Sequence, residues 1–130
     1  MSLNDPLANA LSSIKHAEEK GKKECLIKPV NKTIKKVLDI LNENNYVGKY
    51  EIIDDGRGGM LKINLLGQIN KCGVIKPRFS AKKDDYEKFE KRFLPAKDFG
   101  IIIVSTNKGI IINNEAKEKK IGGKLIAYCY

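Results

Sequence analysis

The sequence predicts an α+β (mixed α/β) protein of two small lobes, the first ordered α-β-α-β-β and the second β-α-β-β-α-β. Three observations lead there. Apolar residues recur at helical spacing in two N-terminal segments. Elsewhere they alternate or run together in short stretches bounded by turn residues, as strands do. A polar, glycine-bounded stretch, Gly67–Gly73, lies near the middle of the 130 residues and divides a lobe at 1–66 from one at 67–130. A chain of this length forms one compact domain or two very small lobes and buries roughly two-thirds of its unfolded surface.

The first helix runs from about Asp5 to Lys20. Asn4 or Asp5 caps it, and Pro6 takes the first helical position, where its missing N–H is harmless. Leu7, Leu11 and Ile14 form its apolar stripe, with Ala10 and Ala17 beside them. Lys20-Gly21-Lys22-Lys23 suits a helix C-terminus, with its glycine and positive charge. Glu24 to Pro29 reads as a short strand. A second helix spans about Lys32 to Asn44, capped by Asn31, with Ile34, Val37, Leu38 and Leu41 on one face. Tyr46–Asp54 and Met60–Leu66 read as paired strands, with Tyr50 and Ile52 alternating in one and Leu61, Ile63 and Leu65 in the other. Asp54-Asp55-Gly56-Arg57-Gly58-Gly59 is the hairpin turn between them.

In the second lobe, Val74–Ser80 reads as a strand, with Pro77 marking an edge or bulge. Asp84–Phe93 is a short helix with Tyr86, Phe89 and Phe93 on one side, stopped by Pro95. Gly100–Thr106 contains the apolar run Ile101-Ile102-Ile103-Val104, a buried strand. Gly109–Asn113 pairs with it. Asn114–Lys120 makes a helical turn or two, and Leu125–Tyr130 is the last strand.

Charge limits the function. Twenty-five basic residues against sixteen acidic give +9. The excess is uneven: residues 1–70 hold eleven basic and nine acidic, net +2, and residues 71–130 fourteen and seven, net +7. Such a field suits a densely negative partner, nucleic acid first; the alternative is a lysine-rich surface kept soluble by its charge. A membrane partner is not expected: no stretch of 18 apolar residues exists, and no helix joins a basic face to a wide apolar one. Met1-Ser2-Leu3-Asn4-Asp5-Pro6 lacks a charged segment followed by an apolar run, so no secretory leader is expected. Cys25, Cys72 and Cys129 form no C-x-x-C motif and read as small buried hydrophobes in a reducing compartment.

No catalytic constellation can be assembled around the single histidine, His16, so no enzyme, metal or cofactor is expected. The glycine turn is not a phosphate-binding Walker loop, because no Gly-Lys-Ser/Thr follows; its functional residue would be Arg57, at the tip. Ser105-Thr106-Asn107-Lys108-Gly109 is more informative. It is either a plain hairpin loop or a cluster of hydroxyls, amide and ammonium that meets RNA phosphates, 2′-hydroxyls and base edges. Glu115 is a helix-dipole partner or an acceptor for base amino groups and RNA hydroxyls. Gly122 and Gly123, followed by Lys124, make a helix cap and turn or let another backbone approach closely.

These segments resemble a known family. Phe93-Leu94-Pro95-Ala96-Lys97-Asp98-Phe99-Gly100, the run Ile101 to Ile110, Glu115-Ala116 and Gly122-Gly123-Lys124 are similar to the C-terminal half of the eighth small-subunit ribosomal protein. Asp5-Pro6-Leu7-Ala8-Asn9 resembles that family's N-terminus. The Leu94–Gly100 segment and the ending Ala127-Tyr128-Cys129-Tyr130 look like its archaeal and eukaryotic branch, and an archaeal source is expected. The bacterial Ser-Arg-Pro-Gly segment has no clear match near Lys76-Pro77-Arg78. The resemblance implies a cytoplasmic, ribosome-bound protein, monomeric in isolation, that binds the central domain of small-subunit ribosomal RNA and helps its assembly beside neighbouring ribosomal proteins. It implies a C-terminal lobe that carries the principal RNA surface; the near-balanced charge of the N-terminal lobe and its two amphipathic helices predict that this lobe is mainly structural with auxiliary RNA contact. Ser105, Thr106 and Gly109 fall on the RNA-contacting loop, with Asn107 and Lys108 at its variable positions. Glu115, Gly122, Gly123 and Lys124 fall on the companion surface. Two other readings stay open: a translational regulator of its own messenger, and a small metal-dependent hydrolase using Asp54-Asp55 or Glu115.

Overall fold

The computed structural model describes residues 6–28, 31–54, 56, 59–76, 78–96 and 99–130. The protein is α+β, with four helices and two antiparallel sheets among these residues. The chain divides into two compact units, Met1–Lys71 and Cys72–Tyr130.

The first unit contains α1 (Pro6–Glu19), β1 (Glu24–Ile27), α2 (Lys32–Glu43), β2 (Val47–Ile53) and β3 (Met60–Leu65). Its sheet order is β1-β3-β2. Helix α1 buries Leu7, Ala10, Leu11, Ile14 and Ala17, as its spacing requires. It closes at Gly21, whose φ of 69° lets Lys22 N–H donate back to the Ala17 carbonyl at 2.9 Å. The expected caps Asn4 and Asp5 lie outside the described residues. Asn31 caps α2, its side-chain oxygen accepting from Ile34 N–H at 2.8 Å. That helix buries Ile34, Val37, Leu38, Ile40 and Leu41. In the sheet Val47, Leu61 and Ile63 are fully enclosed. Ile52, expected in the alternating core pattern, pairs with buried Leu61 yet is 55% exposed, on the edge strand of its sheet.

The second unit contains β4 (Cys72–Val74), β5 (Ser80–Ala81), α3 (Tyr86–Phe93), β6 (Ile101–Thr106), β7 (Gly109–Ile112), α4 (Asn113–Lys119) and β8 (Gly123–Cys129). The sheet runs β4-β8-β6-β7, and β5 also pairs with β8. Ile102, Val104, Ile111 and Leu125 from the sheet pack with Tyr86, Phe89 and Ala116 from α3 and α4 in one core.

The expected single strand Val74–Ser80 is two strands. Val74 pairs with Ala127 and Ser80 with Lys124, so six steps along one chain face three along β8. The surplus has to leave the ladder. Ile75 N–H still reaches the Ile126 carbonyl at 2.8 Å, and Leu125 N–H reaches the Phe79 carbonyl at 2.9 Å, so the excursion is pinned at both ends. Pro77, expected to mark an edge or bulge, lies outside the described residues. The last strand begins at Gly123, two residues before the expected Leu125. Cys72 and Cys129, far apart in sequence, are buried cross-strand partners.

Candidate nucleic-acid interface

Strand β6 is buried from Ile101 to Val104, then emerges: Ser105 is exposed. It pairs with Ile110, and Thr106 pairs with Gly109, leaving Asn107 and Lys108 as a two-residue turn. Gly109 has a φ of 108°, yet a Cβ there would meet nothing within 4 Å. Glycine is therefore needed here for backbone conformation and not for space. The Thr106 hydroxyl donates to the Gly109 carbonyl at 2.8 Å and accepts from Lys108 N–H at 3.1 Å. A hydroxyl has one donor and two acceptor sites, so Thr106 keeps one lone pair for a ligand. It holds the turn, while Ser105, Asn107 and Lys108 present their polar groups to solvent.

Gly122 and Gly123 are both half-buried, and the backbones that approach them belong to this chain. A Cβ at Gly122 would lie 2.4 Å from the Ala81 carbonyl oxygen, and one at Gly123 would lie 2.4 Å from that of Ser105 and 2.8 Å from Val104 Cγ1. Neither position admits a side chain unless a strand moves. The two glycines thus let β8 start wedged between β5 and β6, and they shape the site through those strands. Lys124 follows, exposed and in register with Ser105.

The hairpin, the glycine pair and Lys124 stand together on a basic unit, with thirteen basic and seven acidic residues in Cys72–Tyr130. A family model described as ribosomal protein S8 matches residues 5–130. The chain belongs to the ribosomal protein S8 family. It is accordingly a small-subunit ribosomal protein, RNA-binding and active in translation, from a structural rather than an enzymatic family.

In this S8 chain, Glu115 lies half-buried in the first turn of α4, with its Oε1 3.5 Å from Lys119 Nζ. Its helix is held by residues the sequence reading passed over. Glu90 of α3, only 9% exposed, accepts a hydrogen bond from Asn113 Nδ2 and lies 2.7 Å from Lys117 Nζ. Asn113 Oδ1 in turn accepts from Ile102 N–H at 3.1 Å, tying α3 and α4 to β6. A signal for Glu90 existed: it stands four residues after Tyr86 and so shares the apolar side of α3. The acidic turn shows another use of its groups. Asp54 Oδ1 accepts from Gly56 N–H at 2.9 Å and shapes the backbone, while Asp55, Arg57 and Gly58 lie outside the described residues. Among the described residues, no group of three or more His, Cys, Asp or Glu side chains could hold a metal ion, and no helix is long and apolar enough to cross a membrane.

Proposed function

We propose that the protein binds the central domain of small-subunit ribosomal RNA through its C-terminal unit and helps that RNA fold during assembly. The β6–β7 hairpin supports this reading most directly. It offers Ser105, Asn107 and Lys108 on a turn held by Thr106, above a buried strand. A preformed loop presents polar groups with little ordering cost on binding. Hydroxyl and amide groups suit RNA because they both donate and accept, to phosphates, 2′-hydroxyls and base edges. Lys108, Lys124 and Glu115 complete the surface, and Gly109, Gly122 and Gly123 give it its shape. The N-terminal unit is mainly structural, with auxiliary RNA contact; its charge is closer to balance, and two amphipathic helices account for its apolar residues. In this reading the protein is a monomer when isolated, works in the cytoplasm on the ribosome and meets neighbouring ribosomal proteins there.

Filter binding with small-subunit RNA and a scrambled control tests the proposal. Ser105→Ala should weaken specific binding by about 1–3 kcal/mol, the cost of leaving a desolvated partner unpaired, with the fold intact. Wild-type affinity in that variant would remove the hairpin from the interface.

A further inference from the structure

We infer that Ser80 is a further RNA-binding residue, and that Ser80, Lys124 and Ser105 form one row that takes a phosphodiester of the RNA backbone. This rests on the RNA-binding reading above and extends it to β5, a strand outside the hairpin and the glycine pair. Ser80 pairs with Lys124 across β5–β8, and Ser105 pairs with Lys124 across β8–β6. Directly paired residues of antiparallel strands project to the same face. All three are exposed, so they stand side by side at the solvent-exposed end of the sheet face opposite Ile102, Val104 and Leu125, with Lys124 in the middle. Strands lie about 4.8 Å apart, so the hydroxyls flank Lys124 at about that spacing on either side. A phosphate held by the ammonium then has a hydroxyl to each side, for its own oxygens or for the adjoining ribose. Among the described residues, none hydrogen-bonds to or pairs with these three side chains.

Two features of the fold build this row. The register of β6 against β8 shifts between Ile103 and Val104: Ile103 faces Ala127, and Val104 faces Leu125. Ile126 is the extra residue. Tyr128 pairs with Ile102 and Leu125 with Val104, both partners lying in the core, so three steps on β8 match two on β6. Without that bulge the alternation would turn Lys124 toward the core and Leu125 outward. Gly122 and Gly123 supply the second feature. Each excludes a Cβ at 2.4 Å from a neighbouring carbonyl, one on the β5 side and one on the β6 side. They are positioning residues that hold Ser80 and Ser105 close to Lys124.

Filter binding of full-length variants to a transcript of small-subunit RNA, at several salt concentrations, tests the row. Circular dichroism of each variant checks the fold. Ser80→Ala should weaken binding about fivefold without changing the salt slope, since no charge is lost, and Ser80→Thr should bind as wild type does. Lys124→Ala should lower the slope by about one unit. In the Lys124→Ala background, Ser80→Ala should lose most of its effect, because groups that share one ligand are coupled. Wild-type affinity for Ser80→Ala beside a weakened Ser105→Ala would overturn the row and leave the RNA reading standing. Wild-type affinity for both serine variants would overturn the row and remove the hairpin from the interface with it.

Discussion

At the residue scale, neighbouring hydroxyls have opposite duties. Ser105 faces solvent, whereas Thr106 closes its own turn through Gly109 and Lys108. Thr106→Val keeps the shape and removes both bonds. It should cost at most about 1 kcal/mol of stability, because the freed groups meet water. Exchange of the Lys108 amide should quicken markedly, and an unchanged rate would show that the hydroxyl does not hold the turn. Tyr86 gives a pH signature. Its ring is fully enclosed, its hydroxyl donates to the Ile121 carbonyl at 2.9 Å, and burial raises its pKa. An unfolded tyrosine ionises at about 10. Above that pH the unfolded chain releases this proton before the folded one does, so folding stability falls as pH rises. Melting temperatures from pH 8 to 11, values set by that ordinary pKa of about 10, should show a steeper alkaline decline in wild type than in Tyr86→Phe. Equal slopes would exclude Tyr86 as the cause.

At the element scale, α4 depends on a carboxylate buried in another helix. Glu90→Ala leaves Asn113 without an acceptor and Lys117 without its partner. Urea denaturation should show a loss of about 2–3 kcal/mol, and Glu90→Gln, which keeps an acceptor for Asn113, should lose less. Equal losses would mean that charge, not the hydrogen bond to Asn113, dominates. This network also shows where sequence reading stops. Leu7, Leu11 and Ile14 announce α1, Ile34, Val37, Leu38 and Leu41 announce α2, and Ile101–Val104 announces a buried strand, because those patterns are local. The burial of Glu90 is legible from its place on the apolar side of α3, but its partners are not, since Asn113 and Lys117 come from an element that no periodicity brings to it. The division of Val74–Ser80 was hidden for a related reason: only the register on β8 reveals the surplus. In the candidate site, the exposure of Ser105 and the tightness of the turn could be read from an apolar run followed by polar residues and glycine. That Thr106 spends its hydroxyl internally, that Gly122 and Gly123 face backbone of their own chain, and that Ser80 stands beside Lys124 all depend on strand pairing over long distances.

At the scale of the whole molecule, positive charge and shaped contacts should separate in a salt titration. If the basic C-terminal unit makes five or six phosphate contacts, affinity for small-subunit RNA falls about a thousandfold between 50 and 200 mM salt, by analogy with duplex DNA. Lys108→Ala should reduce the slope by about one unit and weaken all RNAs alike. A nearly flat plot would show that hydroxyls and amides, not phosphate pairing, carry the binding. The sheet order has a consequence in time as well. Strand β8 joins β4, β5 and β6, and it is synthesised after all of them. The first unit has its three strands once Leu65 has been made. On the ribosome that makes it, the N-terminal half can therefore fold while the second sheet still lacks its central member. A nascent chain stopped before Gly123 should hold a folded first unit and an unfinished principal RNA surface, so unfinished copies compete poorly with finished ones for RNA. Limited proteolysis of the 1–122 fragment should leave a resistant N-terminal core, and specific RNA binding by that fragment would contradict this order of events.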